Sequence, residues 1–203
     1  MTNDEGMTKQ LHPSFRGFTL IELLIVMAII IVLSGLILAT AGYVQKKGKR
    51  SRAEAEIAAM SAALENYKAD NGVYPQANTL NPLTDVNPKI TPHPNVYETA
   101  AKSLYGYLSG DNENFNNAID TDQERANKTY FSFKPLMLTL TKNADGTVAS
   151  VDCLRDPFGN SYGYSTAKSA NPAGTAGYNP TFDLWSTADE TTAGAEAKWI
   201  KNW

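Results

Sequence analysis

The chain has 203 residues, 42% of them hydrophobic and 19% charged, with a formal net charge of −3. That length suits one membrane helix plus one soluble domain, and the small net charge gives no support to nucleic-acid binding. One cysteine, Cys153, excludes an internal disulfide and reads as a small buried hydrophobe. His12 and His93 have no second ligand at metal spacing.

Residues 1–16 are polar, mixed in charge and short, and read as a leader. Residues 17–22, Gly-Phe-Thr-Leu-Ile-Glu, then place one acid, Glu22, at the head of an apolar run. From Leu23 to Val44 there is no charge over 22 residues, about 33 Å of helix and enough to cross a bilayer. A carboxylate at the edge of such a segment is costly in lipid unless paired, so Glu22 calls for a cation, most naturally on another subunit.

The helical pattern continues past the apolar run. Ala53, Ile57, Met60, Leu64 and Tyr67 recur at the spacing of one face, with Glu54, Glu56, Ser61, Glu65 and Lys68 on the other. Alanine is abundant there, and Asn71-Gly72 followed by Pro75 is a stop signal. The pattern predicts one helix from Phe18 to Asp70. Just beyond the apolar run lie Lys46, Lys47, Lys49, Arg50 and Arg52, where lipid phosphates or helix surfaces would be neighbours.

Gln76–Asn95 is rich in Pro and Asn and reads as a loop that holds His93. Glu98–Leu108 has the spacing of a short helix, and Gly110–Asn127 reads as an exposed, mobile loop. Strands are predicted at Thr129–Phe133, Leu136–Thr141 and Thr147–Cys153, the last two joined by the turn Asn-Ala-Asp-Gly at 143–146. A further pair is predicted at Ser161–Ser165 and Thr181–Trp185. Trp185, Trp199, Tyr162 and Tyr164 read as core and loop anchors. The fold class is α+β, a long helix carrying a small antiparallel sheet.

Other signals are weaker. Ala39-Thr40-Ala41 fits a secretory cleavage site that would release a chain starting at Gly42, but the apolar run is too long for a signal core and is headed by Glu22. The segment from Gly42 to Gly48-Lys49 fails as a phosphate loop, because its gap is one residue too long and Arg50 replaces Ser/Thr. There is no Gly-x-Ser-x-Gly and no Cys/His pair, so no enzyme is expected. Asn127-Lys128-Thr129 is a glycosylation tripeptide of the kind that arises by chance.

Arg16-Gly17-Phe18-Thr19-Leu20-Ile21-Glu22-Leu23-Leu24 resembles the processing motif of type IV pilins and of the pseudopilins of type II secretion. The resemblance implies cleavage by a prepilin peptidase between Gly17 and Phe18, methylation of the Phe18 amine, and assembly through pairing of Glu22 with the terminal ammonium of a neighbouring Phe18. Asp156-Pro157-Phe158-Gly159-Asn160-Ser161-Tyr162-Gly163-Tyr164 resembles a turn and strand of major pseudopilins. Phe182-Asp183-Leu184-Trp185-Ser186, with Ala188-Asp189 and Asn202-Trp203, resembles the end of the same proteins. There a loop holds calcium, which would place Asp189, Leu184, Ser186 and Glu196 around the ion, a hard cation that takes carboxylate and carbonyl oxygens. Asp156 reads instead as a turn-former bonding its own backbone. The glycines that usually flank the calcium aspartate are replaced by Thr187 and Glu190, and Ala39 stands where many type IV pilins have a helix-bending proline.

The resemblance implies a pilin fold in four parts: a leader 1–17, a membrane half-helix 18–44, an amphipathic half-helix 45–72, and a periplasmic domain 73–203 with an insertion at about 76–128 and a sheet at 129–203. It implies a helical homopolymer on the bacterial inner membrane that supports secretion. Its partners would be the peptidase, an assembly platform with its ATPase, and minor pseudopilins. Alternatives are a type IV pilus subunit for adhesion, motility or DNA uptake, and a tethered or secreted module binding through the 110–127 loop. Lys and Arg are denser after the apolar run than before it, which by the positive-inside rule would place the large domain in the cytoplasm. The resemblance places it in the periplasm.

Overall fold

A computed structural model describes residues 17–76, 86–89, 94–111, 115, 118, 126–190, 192 and 195–203. The chain divides into two compact units, Met1–Gln45 and Lys46–Trp203. Helix α1, Leu20–Asn71, runs unbroken through 52 residues of both, within two residues of the predicted span at each end. Gly72 ends it at φ +79° and donates its N–H to Lys68 O at 2.7 Å, a left-handed cap that a residue with a Cβ adopts at a cost.

In the first unit the large apolar side chains of α1 are exposed all round, from Leu20 through Leu38 to Val44. In the second unit the helix acquires a face. Ala53, Ile57, Met60 and Leu64 are buried and share one hydrophobic cluster with the rest of the domain. Each large apolar side chain on this face stabilises the fold by about 1.5–3 kcal/mol. Glu56, expected on the solvent face, is buried instead. Its carboxylate accepts the Tyr162 hydroxyl at 2.6 Å and Arg52 Nε at 2.7 Å. The buried charge is therefore paired and hydrogen-bonded, as burial requires.

Helix α2 spans Glu98–Ser109, preceded by a 3-10 turn at Pro94–Tyr97 and ended by Gly110 at φ +89°. Its buried face includes Ala101, Leu104, Tyr105 and Leu108. The predicted strand at Thr129–Phe133 does not form. The N–H groups of Tyr130 and Phe131 both donate to Leu108 O, at 2.8 and 2.9 Å, and the Thr129 hydroxyl donates to Ser109 O at 2.8 Å. These bonds satisfy carbonyls that the end of α2 leaves open, so the segment serves as a helix cap. Its donors are spent there and not on a ladder.

Strands β1 (Leu138–Lys142) and β2 (Val148–Leu154) pair antiparallel as predicted, around a turn in which Gly146 has φ +86°. The start shifts from Leu136 to Leu138 because Pro135–Met137 forms a 3-10 turn, with proline at the first position where its missing N–H costs nothing. Strands β3 (Gly163–Ser165) and β4 (Asp183–Ser186) also pair antiparallel, Tyr164 opposite Leu184. A short helix α3, Ala167–Ala170, follows β3, and an unforeseen strand β5, Ile200–Lys201, pairs with β4. The class is thus α+β with two small antiparallel sheets, β1-β2 and β3-β4-β5.

Cys153, Tyr162, Tyr164, Trp185 and Trp199 are all buried as read from the sequence. Most of the 76–95 and 110–127 segments, His12 and His93 lie outside the described residues. Asp111, inside the segment read as exposed, is 1% exposed and accepts the Tyr105 hydroxyl at 2.6 Å.

Gly163 faces Trp185 across the strand pair, and a Cβ there would overlap the indole ring. Gly163→Ala should therefore lower the unfolding free energy by about 1–3 kcal/mol, as overpacking in a core does. Urea unfolding of the full chain in detergent measures it. Unchanged stability would mean that Trp185 is free to move aside.

Candidate functional site

Two regions carry the residues singled out by the sequence. The first is the start of α1. Gly17 and Phe18 precede the helix and are exposed, Phe18 at 85%. Thr19 N–H donates to Glu22 Oε2 at 2.8 Å, and the Thr19 hydroxyl donates to the same oxygen at 2.7 Å. Glu22 N–H donates back to Thr19 Oγ1 at 3.3 Å. This is a reciprocal capping box, threonine at the N-cap and glutamate three residues on. A carboxylate is also favoured at a helix N-terminus by the exposed N–H groups of the first turn. Thr19 is the residue that sequence reasoning missed here. The signal was present in Thr-Leu-Ile-Glu, which is a capping-box pattern.

The described part of the first unit offers the apolar surface around Glu22 no cover. Such a surface cannot stay in water and needs lipid or other helices. By length and composition α1 is one helix able to cross a membrane.

The second region joins the basic turns of α1 to the end of the chain. Lys46 Nζ lies 2.5 Å from Asp189 Oδ2. Lys49 Nζ lies 5.7 Å from the centre of the Phe158 ring. Arg50 donates from Nη1 to Lys198 O at 2.7 Å and from Nη2 to Trp199 O at 3.4 Å, while its Nε lies 3.5 Å from Glu54. Arg52 holds Glu56. The hydrogen bond from Lys46 holds the Asp189 carboxyl below its ordinary range, and the same bond raises the Lys46 ammonium. Lys46, Lys49, Arg50 and Arg52 are therefore engaged with the protein itself, a use that a count of Lys and Arg near a membrane segment does not register.

Asp156 sits beside this region. Its Oδ1 accepts the N–H groups of Phe158 and Asn160, each at 2.9 Å, as the turn reading expected. Its Oδ2 accepts the Ser186 hydroxyl, and Asn160 Nδ2 donates to Ala188 O. Burial pushes the Asp156 carboxyl up, against those hydrogen bonds.

The four residues expected around calcium do not converge as a cation shell. Asp189 holds Lys46. Ser186 Oγ donates to Asp156 and accepts Ala188 N–H at 2.9 Å. Leu184 is tied to Asn202 through its N–H at 2.9 Å and its carbonyl at 3.2 Å. Glu196 stands in a 3-10 turn, Glu196–Lys198, next to the Lys198 that bonds Glu190 at 2.8 Å. Among the described residues no three Asp, Glu, His or Cys side chains come together. A calcium ion wants six to eight oxygens, and Asp189 Oδ2, Ser186 Oγ and the Leu184 carbonyl already have other partners.

Residues 13–38 match the family described as the prokaryotic N-terminal methylation motif, and residues 42–104 match type II secretion system protein G. Over this N-terminal part the chain is similar to the pseudopilins of type II secretion. Three curated relatives, each named type II secretion system core protein G, are similar over the same scale. The Pectobacterium carotovorum protein is 33% identical over 82 residues, 40% of this chain and 53% of its own length. The Escherichia coli K12 protein is 40% identical over 63 residues, 31% of this chain and 43% of its own. The Klebsiella michiganensis protein is 31% identical over 86 residues, 42% and 61%. The chain thus spans about half the length of the curated relatives it matches. No solved structure matches it. The pseudopilin match covers the capped helix start and the basic turns of α1, and the segment holding Asp156 and Asp189 lies beyond it.

Because burial raises the folded-state pKa of Asp156 above 3.8, the folded chain binds the extra proton between 3.8 and the raised value. Its contribution to stability therefore falls as pH rises through that window. Asp156→Asn removes the titration, while Asp183, also raised by burial, stays in both chains and cancels. The stability difference should shift toward the parent chain as pH is lowered from neutral. Urea unfolding at several pH values tests this, and a pH-independent difference would contradict the assignment.

Proposed function

We propose that this chain is a structural subunit of a type II secretion pseudopilus, assembled as a helical homopolymer through the first half of α1. The observation that carries the reading is the combination at the helix start. A methylation motif leads into a helix whose first half, to Val44, is apolar on every side and holds a single acid, Glu22, in its first turn. A prepilin peptidase cuts between Gly17 and Phe18, and the new Phe18 amine is methylated. Glu22 then accepts the Phe18 ammonium of a neighbouring subunit. Removing one member of a buried ion pair leaves the other uncompensated, which is strongly destabilising.

The chain's role is mechanical and not catalytic, so the energy for assembly comes from a partner ATPase acting through an inner-membrane platform, with minor pseudopilins as further partners. The leader is cytoplasmic and residues 73–203 are periplasmic. The contacts of Lys46, Lys49, Arg50 and Arg52 support this orientation, since these cations have protein partners on the domain side.

Two measurements test the reading. Intact mass of the protein from its native membrane should give a chain beginning at methylated Phe18, and a chain beginning at Gly42 would overturn it. Glu22→Ala should leave the subunit in the membrane and reduce filaments at least tenfold, counted by electron microscopy after shearing. Filaments at parental numbers would remove Glu22 from the mechanism.

A further inference from the structure

The segment from β4 to the C-terminus presents carboxylates and backbone carbonyls of the kind a hard cation would collect, yet basic side chains occupy them. Lys46 from α1 takes Asp189 at 2.5 Å. Arg50 from the next turn of α1 takes the carbonyls of Lys198 and Trp199. Lys198 takes Glu190 at 2.8 Å, and Lys201 donates to Glu196 O at 3.1 Å. Ser186 and the Leu184 carbonyl are engaged with Asp156 and Asn202. Four cations built into the chain thus stand where the oxygens of this segment would otherwise lack positive charge.

We propose that Lys46 does in this chain what a bound calcium would do. The Asp189 loop is clipped to α1 by an ammonium group, and residues 183–203 keep their fold without a divalent ion. Thr187 and Glu190 stand beside the loop, and Glu190 is spent on Lys198. A tethered cation differs from a dissolved one in a way that can be measured. It is never diluted, so stability does not depend on calcium activity. It is also an exposed pair, so salt weakens it.

The test uses the full chain in detergent micelles. A ligand that binds only the folded chain raises its melting temperature by mass action. Excess calcium and excess EGTA should therefore give the same melting temperature, followed by tryptophan fluorescence. Hydrogen exchange then reads the loop directly. Lys46→Met and Asp189→Asn should each speed exchange at the amides of Ala188–Glu190 by on the order of two- to fivefold, as loss of an exposed ion pair does. The double variant should be no faster than either single one, because both remove the same contact. The charge exchange Lys46→Asp with Asp189→Lys should return exchange toward the parent rate.

A melting temperature that rises with calcium in the parent chain would overturn the proposal. So would loop exchange that responds to Asp189→Asn but not to Lys46→Met, because the aspartate would then serve something other than the lysine. The outcome is independent of filament assembly, since both readouts are taken on the unassembled chain.

Discussion

The buried face of α1 formed by Ala53, Ile57, Met60 and Leu64 is the surface on which residues 46–203 are organised. With Ala63 it carries two alanines and three larger apolar side chains between positions 53 and 64, so the helix can lie close to its neighbours and still bury apolar area. Within this face sits Glu56, a charge among hydrocarbons. Such a group is tolerated only when its oxygens are all answered, and Tyr162 and Arg52 answer them. The Tyr162–Glu56 bond spans 106 positions in sequence. It fixes the start of the β3 region on the helix in one register, because a shift of either partner would leave a buried carboxylate short of a donor. The Tyr162 hydroxyl is correspondingly held in its neutral form, by burial first and by the adjoining carboxylate second.

The same helix meets different demands before and after Gln45. Before it, no face is distinguished, which is the pattern of a helix surrounded by apolar neighbours on all sides. Just after it, Lys46, Lys49, Arg50 and Arg52 each find a protein group, and the choice of cation follows the partner. Arg50 meets two adjacent backbone carbonyls, which a planar fork with several donors can reach together. Lys46 meets a single carboxylate, for which a compact ammonium suffices. The exit from the apolar segment is thus also the place where the C-terminal segment is fastened.

Much of this was legible in the sequence because it depends on local rules. The long helix, its glycine cap, α2, the β1-β2 hairpin and the β3-β4 pair follow from period, turn chemistry and capping, and all are found. What escaped depends on partners distant in sequence. Thr129–Phe133 has strand-forming side chains, but the open carbonyls at the end of α2 claim its amides. β5 is two residues long and exists because β4 offers it an edge. Glu56 reads as a solvent-face acid until Tyr162 is placed opposite it. The resemblance sets Asp189 and Glu196 near a calcium ion, and the ion pair that Asp189 makes is a further long-range contact. Nothing in the C-terminal sequence announces that Lys46, 143 positions earlier, reaches the same carboxylate.

The capping box bears on how an acid at the head of an apolar helix can exist before assembly. Both bonds from Thr19 go to Glu22 Oε2, and a carboxylate has about four lone-pair sites. The carboxylate is therefore partly satisfied within its own chain, which lowers the cost of holding it at the edge of a membrane. Both bonds leave the Oε1 acceptor sites out of the capping box. In the proposed filament, an incoming Phe18 ammonium would add to this arrangement without first breaking it. The preformed rotamer also spares the side-chain entropy that docking would otherwise cost. Thr19 in this view sets the geometry that Glu22 offers to its neighbour, and a valine at that position would keep the backbone N–H bond to the carboxylate while removing the hydroxyl bond and the return bond from Glu22 N–H.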